Sequence, residues 1–73
     1  MPLSFANIGE KLVISRISGN EEQRRHLHNL GFVENAHVVV VSQTGGNLIV
    51  NVKDVRIALS KEMAGKIIVS PCV

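Results

Sequence analysis

The stretch from Asn20 to Phe32, NEEQRRHLHNLGF, carries the chain's only uninterrupted helical signature. Asn20 suits the N-cap, where its side-chain oxygen accepts a hydrogen bond from a first-turn amide. Gln23, three residues on, can reach back to the cap amide and close a capping box. Glu21 and Glu22 set negative charge at the positive end of the helix dipole. Leu27 and Leu30 share one face at i, i+3 spacing. Gly31 follows at once and fits the left-handed position just past a helix C-terminus. Phe32 then falls where it can pack back onto the last turn. The stretch predicts one helix of about ten residues, roughly three turns. A helix this short is marginal alone, so Leu27, Leu30 and Phe32 must dock it against a sheet.

Working outward, both flanks read as short strands. Leu3, Phe5 and Ile8 form an apolar lead-in, closed by a turn at Asn7–Gly9. Lys11–Ile17 is a first strand, with Leu12 and Ile14 on one face and Val13 and Ile17 on the other; the pattern leaves its inward side open. Beyond the helix, Val33-Glu34-Asn35 is a tight turn in which Asn35 tolerates a left-handed backbone. Ala36–Gln43 is a second strand, apolar on both sides. Thr44-Gly45-Gly46-Asn47 is a hairpin turn, because glycine supplies positive φ. Leu48–Val52 is a third strand, with Leu48, Val50 and Val52 inward. Lys53-Asp54 is a second tight turn. Val55–Leu59 is a fourth strand, with Val55, Ile57 and Leu59 inward. Ser60 caps a single helical turn, Lys61–Ala64, and Lys66–Val69 is the last strand before a tail at Pro71-Cys72-Val73. The fold class is mainly β with one short helix. A flat sheet half covered by so small a helix would leave edges and one face bare. Curling the strands solves both problems, so the expectation is a small SH3-like β-barrel of about five strands.

The composition agrees. Residues 1–73 are expected to form a single domain, with Val, Ile and Leu building the core, because the chain has no Trp or Tyr and only two Phe. Eight Lys and Arg against six acids give a net charge of +2, a mild excess and not the dense basic patch of a nucleic-acid binder. The single cysteine excludes an internal disulfide and fits a reducing compartment. Met1–Phe5 lacks the basic and apolar regions of a signal peptide. The apolar run Val38–Val41 is far shorter than the ~20 residues of a membrane span. A soluble cytoplasmic protein without membrane insertion is expected.

The order of the pieces resembles a known family. A helix with Arg24, Arg25 and Leu27 ends in Leu30-Gly31-Phe32. A Val-rich strand and a hairpin follow, then Ile57-Ala58-Leu59-Ser60-Lys61-Glu62-Met63-Ala64 and Ile67-Ile68-Val69. From about Ile8 to Val69 this set is similar to the FeoA family. Two positions depart from the family pattern: Glu34-Asn35 stands where Pro-Gly is usual, and Lys53-Asp54 where Gly is frequent. The resemblance implies an SH3-like barrel and a cytoplasmic accessory role in bacterial ferrous iron uptake. It also implies a partner, the FeoB-type membrane iron transporter with its cytoplasmic GTP-binding domain. The same barrel occurs as the C-terminal domain of DtxR-type iron-dependent repressors, so a regulatory module is the alternative.

The residues themselves argue for binding rather than catalysis. No Ser-His-acid set is visible, adjacent Glu21 and Glu22 point apart, and Gly45-Gly46 lacks the residues of a P-loop. No catalytic residue and no cofactor is expected. His26 and His28 stand about 200° apart on a helix and cannot share an ion. Transition-metal binding would need i, i+3 or i, i+4 spacing or convergence from other elements among His26, His28, His37, Cys72 and the acids, and no metal site is assigned. Arg24 and Arg25 are the most prominent exposed charges, with Arg24 in i, i+3 reach of Glu21. The candidate partner surface is Arg24, Arg25, His28 and Leu27, the leucine counting there to the extent that docking leaves it exposed.

Overall fold

The computed structural model describes residues 1–72; Val73, assigned to the tail, lies outside them. Among the described residues five strands form one antiparallel sheet: β1 (Lys11–Ile17), β2 (His37–Thr44), β3 (Asn47–Val52), β4 (Val55–Ser60) and β5 (Ile67–Pro71). The order across the sheet is β4-β3-β2-β1-β5. Helix α1 (Glu21–Asn29) lies between β1 and β2 in the chain, and the single turn α2 (Lys61–Ala64) between β4 and β5. A 3₁₀ turn at Leu3–Phe5 precedes β1. Mainly β with one short helix is therefore the observed architecture.

Two tight turns build the β2-β3-β4 meander. Gly45 adopts φ 53° in the first. Lys53 (φ 50°) and Asp54 (φ 64°) both take the left-handed conformation in the second, as a two-residue turn with two positive φ values demands. The alternation in β3 puts Leu48, Val50 and Val52 in the core. Pairing of Leu12 with Val38 places Leu12 and Ile14 inward with Val38 and Val40, which settles the open question for β1. β5 runs two residues beyond Val69, with Pro71 opposite Leu12; proline is tolerated there because β5 is an edge strand.

The curl comes from two bulges that the sequence pattern did not announce. The β1-β5 register shifts between Ile14 and Arg16, and the β2-β3 register between Val40 and Ser42. A bulge bends its strand and increases local twist. Among the described residues no ladder joins β4 to β5. The gap is spanned instead by packing, with α2 against β4 and the 3₁₀ turn, and the 3₁₀ turn against β5. Leu3, Ala6, Leu27, Phe32, Ala36 and Ala64 complete a core with the inward residues of the strands.

One inward assignment, Val55, is corrected. Val55 is 54% exposed, Ile57 is half-buried and Leu59 is buried, so the inner face of β4 runs off the end of the core toward the Lys53-Asp54 turn. In the lead-in Leu3 is buried, but Phe5 (74%) and Ile8 (60%) are exposed. Leu3 is the buried residue of the 3₁₀ turn, and Ile8 lies in the turn before β1.

Candidate functional site

Helix α1 is closed at both ends by its own sequence. The Gln23 amide donates to Asn20 Oδ1 at 2.8 Å, and the Asn20 amide donates to Gln23 Oε1 at 3.1 Å, a complete capping box. At the other end Gly31 adopts φ 105°. The Phe32 amide donates to the Leu27 carbonyl and the Gly31 amide to the His28 carbonyl, both at 3.0 Å. These two bonds form the Schellman motif, which satisfies carbonyls a helix end otherwise leaves unpaired. The turn swings Phe32 under the helix, where it is buried beside Leu27.

The attachment of α1 to the sheet is narrow. Of its nine residues, Leu27 is the one fully buried among those described. Leu30, at the C-cap, is half-buried and packs against the core. Leu27 is 0% exposed, which corrects its place in the candidate surface: no partner can touch it directly, and it fixes the helix from beneath. Glu21, Arg24, Arg25, His26 and His28 are exposed.

Three of the four candidate residues do converge. Arg24, Arg25 and His28 line one cleft of about 310 Å³. Ile17, Phe32 and Val33 supply its apolar part, and Glu21 and Glu34 also border it. The ion pair on this face is Arg25 to Glu21 at 3.2 Å, with i, i+4 spacing, rather than the Arg24–Glu21 pair that i, i+3 spacing suggested. Both side chains are largely exposed, so the pair contributes little to stability, about 0.3–0.5 kcal/mol. Arg24 has no carboxylate partner among the described residues. Ile17 reaches the cleft because the bulge in β1 resets the strand's alternation after Ile14. Glu34 reaches it from the loop after α1, next to Asn35, which takes the left-handed conformation, φ 71°. Sequence periodicity could signal neither.

A second juxtaposition lies away from the cleft. Cys72 Sγ stands 3.5 Å from His37 Nδ1, joining the residue after β5 to the start of β2. The pairing follows from sheet order, with β1 between those strands, and spacing along the chain does not reveal it. Among the described residues no three His, Cys, Asp or Glu side chains converge as metal donors. Among them, too, no helix is long and apolar enough to cross a membrane.

The comparisons with known proteins agree with this architecture. No curated protein sequence matches the chain significantly. Among solved structures, the crystal structure of an iron uptake regulatory protein (FeoA) is 33% identical, with a TM-score of 0.87, over 94% of this chain and 93% of that one. The zinc-complexed FeoA of Stenotrophomonas maltophilia, described as an SH3-domain protein, is 29% identical. Its TM-score is 0.85, over 96% of this chain and 89% of that one. A manganese-dependent transcriptional repressor is 17% identical, with a TM-score of 0.89, over all of this chain and 41% of its own, a likeness that shows the fold alone. The fold is thus SH3-like. The model of the FeoA domain matches residues 1–71, nearly the whole chain, and with the sheet order and capped helix described above this protein belongs to the FeoA family.

Proposed function

We propose that this protein is a non-enzymatic cytoplasmic accessory factor of bacterial ferrous iron uptake. It docks through the exposed face of α1 on the cytoplasmic GTP-binding domain of a FeoB-type transporter. One observation carries the reading: Arg24, Arg25 and His28 come together at the rim of a cleft whose floor is apolar. Arginine beside exposed apolar surface is a common interface composition. Membership of the FeoA family supplies the ferrous-iron context. The likeness to repressors, at 17% identity, gives the regulatory alternative no support beyond the shared fold.

The test titrates labelled protein with the transporter's cytoplasmic domain, with GDP and with a GTP analogue. Binding is expected, and Arg24→Ala with Arg25→Ala is expected to weaken it by about tenfold or more, equivalent to ~1.4 kcal/mol. Absence of association in every nucleotide state, and with the full membrane protein, would refute the reading.

A further inference from the structure

The cleft beside α1 holds both signs of charge. Arg25 and Glu21 bind each other at 3.2 Å and so are satisfied within the protein. That leaves Arg24 on the helix side and Glu34 on the loop side. Both line the cleft, both are exposed, and neither has an ion partner among the described residues. Ile17 and Val33, both half-buried, supply the accessible apolar lining of the cleft, with Phe32 behind them. Phe32 is fully buried and held by the Schellman turn, so the floor is backed by the core.

We propose that this cleft seats one apolar side chain of a partner polypeptide. On one side of that anchor the partner carries a carboxylate facing Arg24, and on the other a cation facing Glu34. The proposal rests on the docking reading above and specifies the segment that the partner supplies. The size fits: about 310 Å³ lies at the lower end of the ~300–1,000 Å³ range of ligand pockets, enough for a single large anchor. The chemistry fits as well. A hydrocarbon floor with charges at its rim gives the anchor a dry seat and leaves orientation to the two ion pairs. Rim charges of opposite sign admit one direction of the segment and oppose the reverse, in which like charges would meet.

The seat makes a prediction that a plain basic surface does not. Were positive charge alone the attraction, Glu34→Lys would strengthen binding. In a two-signed seat, Arg24→Glu and Glu34→Lys each weaken it. Both residues are exposed, so both variants are expected to fold, which their amide spectra verify. The probe is the transporter's cytoplasmic GTP-binding domain, titrated into isotope-labelled protein and followed by amide and methyl shifts. The expected result is a loss of about tenfold or more in affinity for each variant. The shifts on wild-type protein are expected to center on Ile17 and Val33, the half-buried apolar residues that the anchor can reach. Tighter or unchanged binding by Glu34→Lys overturns the two-signed seat and leaves docking intact. Binding with shifts centered elsewhere does the same. No binding by wild-type protein sinks the docking reading, and the seat with it.

Discussion

Replacing Leu27 by Ala removes the fully buried side chain of α1 and leaves the sheet's own contacts in place. Burial at 0% exposure puts the cost of Leu27→Ala at about 2–5 kcal/mol. Total stability for 73 residues, at ~0.05–0.15 kcal/mol each, is about 4–11 kcal/mol. A loss of that size could therefore threaten the whole fold. The structure predicts a more local result. α1 has nine residues and is marginal without its docking contact, whereas the sheet holds ten of the core residues through its own ladders. With Leu27 gone, the helix can open while the sheet persists, and the global loss is capped near the free energy of helix docking. Native-state amide exchange distinguishes the two outcomes. Protection of the α1 amides should fall by about 100-fold, equivalent to roughly 3 kcal/mol, with a much smaller change at Val38, Val40 and Val50. The control is Leu48→Ala in β3, the same truncation at an equally buried site, which should lower protection throughout. If Leu27→Ala also lowers sheet and helix amides alike, α1 is not separately attached, and the reasoning fails.

Two further predictions concern turns. Gly19 adopts φ 108°, and a Cβ there would lie 2.7 Å from Gln23 Oε1 and 3.1 Å from Lys66 Cδ. Moving Gln23 aside breaks the capping box, so Gly19→Ala should cost about 1–2 kcal/mol and lower Tm by roughly 5–15 °C in a thermal melt; an unchanged Tm would show that the box carries no weight. Lys53 holds positive φ without a side chain that favours it, and Asp54 stands at the second position, where glycine is easier still, so Lys53→Asn with Asp54→Gly should stabilise the β3-β4 hairpin by about 1 kcal/mol, raising Tm by roughly 4–8 °C. A lower Tm would mean that the two native side chains make contacts worth more than the backbone strain.

What was legible in the sequence was local. The capping box at Asn20 and Gln23, the stop at Gly31, the inward set of β3 and the left-handed Asn35 all depend on residues within a few positions of one another. Each appears in the structure where the pattern put it. What escaped was non-local. A bulge inserts one residue with no compositional mark, so the shifts after Ile14 and Val40 could not be read. Val55 alternates correctly with Ile57 and Leu59, yet lies beyond the edge of the core; period-two reasoning gives the face of a residue and not how far the core extends. The candidate surface divides the same way. Helical spacing brought Arg24, Arg25 and His28 to one side, but the opposite wall of the cleft comes from β1 and the loop after α1.

The division bears on how an SH3-like fold acquires a particular function. The whole backbone fold, α1 included, is common to this chain and to repressors of 17–18% identity, so the fold by itself cannot specify a partner and the exposed side chains must. Helix α1 carries many of those side chains. It buries Leu27, half-buries Leu30, and leaves Glu21, Glu22, Arg24, Arg25, His26 and His28 to solvent. Its position is set by caps at both ends, and these cost none of its exposed side chains. The outward face can therefore change in charge with little effect on stability, since exposed pairs such as Arg25–Glu21 contribute only a few tenths of a kcal/mol. A surface so loosely coupled to folding is where recognition can be tuned independently. The part of the fold least coupled to stability thus also borders the cleft.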